Sequence, residues 1–148
     1  MDTSQTCTDK VEKIEVKPFA IMRQAHEAIR ELTADVDSAL KSHEDANFRS
    51  LWYILYEMMV FHGRMEDGVH LKSKGMFAVF NENFESVAVP LQEVHEEIDE
   101  MLLNVEEGLA MMDDSLVKSA WRKFRKANEE HLWAEEVIMM PLVCISLF

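Results

Sequence analysis

Four histidines and two glutamates recur in this chain at spacings that suit metal coordination. Two HxxxE motifs begin at His62 and at His131, and each follows an earlier histidine by 36 residues. Because side chains four residues apart lie on one face of a helix, each motif can present an imidazole nitrogen and a carboxylate oxygen to the same ion. The six candidate ligands are His26, His62, Glu66, His95, His131 and Glu135.

The six candidates also belong to an internal repeat. A shift of 69 residues places His26 on His95, His62 on His131 and Glu66 on Glu135. Apolar positions coincide under the same shift, for example Ile29 with Ile98. The repeat therefore predicts two similar helical hairpins, each of which contributes half of the site.

Four amphipathic stretches are predicted to position these residues. Apolar side chains recur every three or four residues over 19–40, 48–69, 91–112 and 117–138, a spacing typical of helices with one buried face. Each stripe contains one of the four histidines. We expect an apolar wall around them, made of Met22, Ile29, Met58, Met65, Ile98, Leu102, Phe124 and Ile138.

The boundaries of these helices follow from turn and capping residues. The first helix is expected to end near Lys41, and the second to continue as far as Lys74. The period is lost over 75–90, so this stretch is predicted to be a longer connection before a third helix that begins at Pro90. Asp113 and its two polar neighbours are expected to cap the fourth helix.

The four histidines should lie at one height in the fold. The midpoints between successive histidines fall at 44, 78.5 and 113, all within predicted connections. Residues equidistant from a turn lie side by side on antiparallel helices, so the six candidates should meet in one layer.

Composition points to the same architecture. The 148 residues include only 4 Gly and 3 Pro, too few turn-formers for many short strands. We therefore expect an all-α fold, an antiparallel up-down-up-down four-helix bundle over residues 17–148, after a flexible polar leader over 1–16.

Charge and cysteine content limit the partners. The net charge of -13 disfavours nucleic acid and anionic membranes. No stretch has the roughly 20 apolar residues of a spanning helix, and the only two cysteines, Cys7 and Cys144, do not form a disulfide framework. We expect a cytoplasmic protein with a small-molecule ligand, and the sequence indicates no particular protein partner.

The ligand types narrow the choice of metal. Four imidazoles and two carboxylates are too many for one tetrahedral zinc and too nitrogen-rich for calcium or magnesium. They suit two transition ions bridged by carboxylate, with iron as first choice and manganese or zinc as second. The structural alternative is a bundle core in which these six groups satisfy one another without an ion.

The order His, HxxxE, His, HxxxE resembles that of the hemerythrin-like HHE cation-binding family over about residues 19–142. The matching segments are HGRME at His62, EVHEEI around His95 and HLWAE at His131. The resemblance implies an oxo- or hydroxo-bridged non-haem di-iron centre that binds dioxygen. It implies that Glu66 and Glu135 bridge the irons, with His26 and His62 on one side and His95 and His131 on the other, or shared.

One position departs from the oxygen-carrying hemerythrins, because Leu91 stands where they have a further histidine. Water, hydroxide, His70 and Asp99 are candidates to complete the site. His70 and Asp99 also fit solvent-exposed positions beside it. An incomplete ligand set leaves three functions open: a dioxygen-binding protein, an iron- or oxygen-sensing domain of a larger protein, and a di-iron peroxidase or oxidase.

Overall fold

The computed structural model describes residues 20–68 and 75–142, and every regular element within these ranges is helical. Helix α1 spans Ala20–Lys41, α2 Asp45–Asp67, α3 Met76–Met111 and α4 Asp114–Ala134, and a π-helical segment, Glu135–Met139, continues α4. The all-α prediction is confirmed for this part of the chain. The leader over 1–16, His70 and the two cysteines lie outside the described residues.

The helices pack in the order expected of a helical bundle. Helix α1 contacts α2 and α4, α3 contacts α2 and α4, and the π segment contacts α3. Within the described ranges, no helix combines the length and the apolar character that crossing a bilayer requires.

Two apolar clusters make up the core. The large cluster includes Ile29, Trp52, Leu55, Ile98, Leu102, Trp121, Phe124 and Leu132. The small cluster includes Phe77, Phe80, Ala88, Leu91 and Met139. On α3, His95 lies between Leu91 of the small cluster and Ile98 of the large one, and on α4 the pair His131 and Glu135 lies between Phe124 and Met139. The candidate ligands therefore form a polar layer between two apolar ones.

Helix α2 is shorter than predicted. It ends at Asp67, and Gly68 follows with a φ of 92°, a left-handed conformation that glycine adopts without steric cost. The Gly68 N–H donates to the carbonyl of Arg64 at 3.0 Å. Gly75 is buried against this helix end, and a Cβ at Gly75 would overlap the backbone of Glu66, Asp67 and Gly68. The glycines thus fix the backbone that carries Glu66.

The prediction of a connection over 75–90 is wrong, because α3 begins at Met76 rather than at Pro90. The apolar residues Phe77, Phe80, Phe84, Ala88 and Leu91 recur every three or four residues, which is the helical period. Phe84 itself has non-helical angles, φ -139° and ψ 43°, and kinks the helix. Pro90 follows within the helix, where it has no N–H to donate to the carbonyl of Ser86.

The buried face of two helices differs from the predicted stripe by one residue. In the π segment, which has one more residue per turn than an α-helix, Ile138 is 43% exposed whereas Met139 is fully buried. On α2, Met65 is 40% exposed and its neighbour Glu66 is buried. The prediction that Met65 and Ile138 belong to the buried apolar wall is therefore wrong.

The hairpin between α3 and α4 follows the prediction. Helix α3 ends at Met111, with Met112 in the left-handed conformation. The Asp113 carboxylate then accepts hydrogen bonds from the backbone N–H groups of Ser115 and Leu116, each at 3.0 Å. Asp113 is thus confirmed as the N-cap of α4.

Asp37 ties α1 to α4 at the edge of the large cluster. Its carboxylate accepts a hydrogen bond from the Trp121 indole N–H at 3.1 Å and lies 2.8 Å from Arg125 Nη1 and 2.5 Å from Lys41 Nζ. Burial alone would raise the pKa of Asp37, but these three partners outweigh it and lower the pKa below its usual value.

This contact gives a prediction about acid stability. Asp37→Asn keeps an acceptor for Trp121 but removes the charge, and we expect it to lower the free energy of unfolding by about 1 to 2 kcal/mol near neutral pH. Because the folded-state pKa is depressed, the charge stabilises the fold above the unfolded pKa and the benefit is lost as pH falls through the folded value. Urea denaturation at about pH 6.5 and about pH 3 should therefore show a difference between wild type and variant that shrinks in acid. An equal difference at both pH values would contradict this role of the Asp37 charge.

Candidate metal centre

The structure brings the six sequence-predicted residues together in its interior. Helix α1 supplies one of them, α2 two, α3 one and α4 with its π segment two. None of the six is more than 9% exposed. They are His26, His62, Glu66, His95, His131 and Glu135, and we refer to them as the inner cluster.

The inner cluster divides into two overlapping groups of four. His26 and His62 form the first group with Glu66 and Glu135, and His95 and His131 form the second with the same two glutamates. Within each group the candidate ligand atoms all lie within 4.8 Å of one another. Two ions can therefore be held side by side, with both carboxylates shared.

Each shared carboxylate directs one oxygen to each histidine pair. Glu66 Oε1 lies 3.3 Å from His62 Nε2, and its Oε2 lies 3.1 Å from His95 Nε2. Glu135 Oε2 lies 3.2 Å from His26 Nε2, and its Oε1 lies 3.1 Å from His131 Nε2. This is the arrangement that a carboxylate bridging two ions requires.

Two further carboxylates lie on the outer side of the histidines. Glu136 Oε1 is 2.8 Å from His26 Nδ1, and Asp67 Oδ2 is 2.8 Å from His95 Nδ1. A carboxylate at Nδ1 favours the tautomer that carries its proton there, which leaves the lone pair of Nε2 directed into the cluster. We call Asp67 and Glu136 the outer carboxylates.

The outer carboxylates were not predicted from the sequence, although the repeat contained the signal. Each of them directly follows a shared glutamate, and the 69-residue shift places Asp67 on Glu136. The same shift therefore relates the two outer carboxylates to each other. Each of them contacts a histidine of the other hairpin, because Glu136 contacts His26 and Asp67 contacts His95.

Glu136 is itself held by Arg30 of α1. Arg30 Nη1 donates to Glu136 Oε1 at 2.7 Å and Nη2 donates to Oε2 at 3.2 Å, while Arg30 Nε lies 3.1 Å from both oxygens of Glu129. Burial would raise the pKa of Glu136, but Arg30 and His26 outweigh it and lower the pKa. Glu136 therefore stays ionised beside His26.

Several inner atoms of the cluster lack hydrogen bonds. Among the described residues, His26 Nε2, His62 Nε2 and both oxygens of each shared glutamate are buried without a partner in hydrogen-bond geometry. His95 Nε2 and His131 Nε2 are 2.7 Å apart, a hydrogen bond that needs a proton on one of the two nitrogens. Since buried polar atoms need a partner, these residues fit a pair of cations bound between them.

Burial and contacts with neighbouring charged groups shift the pKa values of the cluster residues in opposite directions. Burial lowers the pKa of His62 to about 4, so that imidazole is neutral and free to ligate. Burial would also lower the pKa of His95, but Asp67 and Glu66 outweigh it and raise the pKa to about 10. Burial raises the pKa of Glu66, whereas contacts with His131 and His26 overcome burial at Glu135 and lower its pKa.

Asp99, one of the two predicted additional ligands, does not belong to these two groups. Asp99 lies one turn after His95 at the edge of a cleft and is mostly exposed. Burial and the nearby charge of Asp67 raise the pKa of Asp99. His70 lies outside the described residues, so its role as a ligand stays a prediction.

The sequence-family model of the hemerythrin HHE cation binding domain matches residues 17–143 of this chain. The chain therefore belongs to the hemerythrin HHE cation-binding family. A comparison with curated proteins and one with solved structures each gave no match.

The outer carboxylate of His26 provides a test of how the site is positioned. We expect Glu136→Ala to weaken ferrous-ion binding by about 10-fold to 100-fold, because the His26 imidazole loses the acceptor that orients it. The matched control is Glu129→Ala, which removes the other carboxylate on Arg30 but no contact to a histidine. Anaerobic titration of iron against a chromogenic chelator measures both. Equal losses in the two variants would show that Glu136 acts only through general stability.

Proposed function

We propose that this chain is a non-haem di-iron protein that binds dioxygen, or a related small ligand, at the inner cluster. The observation that carries the proposal is the arrangement of Glu66 and Glu135, each of which directs one oxygen to each histidine pair. Two buried carboxylates in this arrangement have an evident role as bridges and would otherwise be a costly addition to an apolar core.

The ligand set follows from the two groups. His26 and His62 would hold one ion, His95 and His131 the other, and Glu66 and Glu135 would bridge them. Mixed imidazole and carboxylate ligation with two nitrogens for each ion favours iron, with manganese or zinc as second choice. Histidine pairs supplied by both hairpins also support the antiparallel up-down-up-down course, because only that course brings residues equidistant from each turn to one height.

Other residues of the chain prepare the site for a gaseous ligand. When bound, a pair of ferrous ions supplies electrons and a coordination position for dioxygen. Apolar side chains border the polar layer, Leu91 and Met139 on one side and Ile98 and Phe124 on the other. Asp67 and Glu136 hold the protons on the outer nitrogens, so that the inner nitrogens stay available to metal. Sensing and peroxidase functions stay predictions, since no feature of the described residues favours either.

Absorption spectroscopy of the iron-loaded protein tests the proposal. We expect a ligand-to-metal band that appears when oxygen is admitted and disappears when oxygen is removed, over repeated cycles. His95→Asn should abolish the band because it removes one of the two imidazoles of the second group. His43→Asn is the matched control, since His43 is exposed between α1 and α2 and has a φ of 57°, which Asn tolerates.

Two results would overturn the proposal. The first is a protein that takes up no ferrous iron under anaerobic conditions. The second is a band that ignores oxygen while the protein turns over hydrogen peroxide, which would favour the peroxidase alternative.

A further inference from the structure

An apolar stripe runs along the exposed side of α2. Its members are Ile54, Met58, Phe61 and Met65, spaced four, three and four residues apart, and we refer to them as the α2 stripe. Side chains at these spacings are neighbours on one side of a helix. Ile54 is 58%, Phe61 64% and Met65 40% exposed, and Met58 is partly buried at the edge of the large cluster. Single exposed apolar residues are ordinary, but a contiguous row of four marks a surface that another molecule covers.

The internal repeat shows that the fold does not require the α2 stripe. The 69-residue shift places its four positions on α4, where the residues are Lys123, Ala127, Glu130 and Ala134. The helix that carries the second HxxxE motif therefore has two charged and two small residues where α2 has four large apolar ones. Since both helices supply equivalent candidate ligands, the difference indicates an interaction that α2 makes and α4 does not.

The α2 stripe has the seven-residue repeat of helices that pack in pairs. Ile54 and Phe61 are seven residues apart, and so are Met58 and Met65. This alternation of four and three residues is the spacing of the apolar seam in a coiled coil. When two copies of the stripe lie antiparallel, Met58 of each copy is opposite Phe61 of the other, and Ile54 is opposite Met65. The stripe therefore complements itself about a twofold axis, as the interface of a symmetric dimer must.

The charges beside the α2 stripe fit the same antiparallel arrangement. Glu57 and Arg64 directly precede Met58 and Met65, so both lie on one flank of the stripe. Both are exposed, and neither side chain forms an ion pair or a hydrogen bond within the part of the chain that the structure describes. A separation of about 10.5 Å along the axis prevents them from pairing in one helix. In the antiparallel pair, Glu57 of each copy lies beside Arg64 of the other with an offset of about 3 Å, which gives two ion pairs.

Charge argues against a membrane as the occupant of the stripe. Helices that lie on anionic bilayers carry several Lys and Arg on their polar face. The flank of the α2 stripe has one acid and one base, and the chain has a net charge of -13. That net charge also repels a second copy, but salt at physiological concentration screens the repulsion beyond about 8 Å. Contacts at the stripe itself therefore decide whether two copies pair.

We propose that the α2 stripe is the interface of a homodimer, in which two copies of this chain pair through antiparallel α2 helices. The inference goes beyond the proposed function, because no member of the stripe is a candidate ligand and the pairing does not depend on iron. His62 and Glu66 directly follow Phe61 and Met65, but both are buried in the interior of their own chain. Each copy therefore keeps a complete inner cluster.

Sedimentation equilibrium of the full chain over a range of concentrations measures the dimer. Phe61→Glu should weaken dimerisation by about 100-fold or more, because two phenyl rings leave the interface and two charges enter it. Trp133→Glu is the matched control, since Trp133 is a 55% exposed aromatic residue on α4, outside the stripe. Circular dichroism and ferrous-iron uptake are measured on the same samples. Unfolding, failure of the proposed function and failure of this inference are then separate results.

Exchange of the flanking charges tests the antiparallel arrangement. Glu57→Arg and Arg64→Glu each place two pairs of like charges at the interface, and each should weaken the dimer by about tenfold. The double variant, Glu57→Arg with Arg64→Glu, restores opposite charges in both pairs. It should dimerise within about threefold of the wild type.

Three results would overturn the proposal. The first is a monomer at every concentration, which would leave the α2 stripe to a partner of another kind. The second is a dimer that Phe61→Glu does not weaken, because its interface would lie elsewhere. The third is a double charge variant that dimerises no better than the two single variants.

Discussion

The structure depends on one constraint: six polar side chains are buried in a single layer between two apolar clusters. Each buried polar atom without a partner costs roughly 1 to 3 kcal/mol, and the inner cluster contains several such atoms. The chain limits this cost by contact among the six residues and by the outer carboxylates. A bound pair of cations would satisfy the inner atoms that remain. The helices must therefore deliver their histidines to one height, which explains the equal spacing of the motifs along the sequence.

The internal repeat places these buried residues in two similar halves. Each hairpin supplies a lone histidine, an HxxxE motif and an acid after it, and the outer acid of one hairpin contacts the lone histidine of the other. His26 and His95 thus each have a carboxylate at Nδ1 on the outer side. The symmetry ends at a cleft between α2 and α3, which is lined by His62, His95 and His131 but not by His26. The two halves are therefore similar as ligand sets but differ in how many of their histidines line this cleft.

Much of this could be predicted from the sequence, because the deciding signals are periodic. The end of α1 at Lys41 and the cap at Asp113 follow from local turn chemistry, and the meeting of the six side chains follows from hairpin spacing. The prediction placed the start of α3 at Pro90 because it found no helical period over 75–90, although Phe77, Phe80, Ala88 and Leu91 have helical spacing. The register after Glu135 could not be predicted, because a π turn adds a residue without any change in composition. Asp67 and Glu136 were missed because an acid beside an acid on a helix is ordinarily solvated, and only tertiary contact with a histidine distinguishes them.

The central claim is that the inner cluster holds two ions bridged by two carboxylates. Anomalous diffraction at the iron edge, from crystals of the protein loaded anaerobically with ferrous iron, tests it most directly. The account predicts two anomalous peaks about 3.5 to 4 Å apart, the spacing of two-metal sites, with Glu66 and Glu135 each bonded to both. A single peak, or peaks away from these two glutamates, would contradict it.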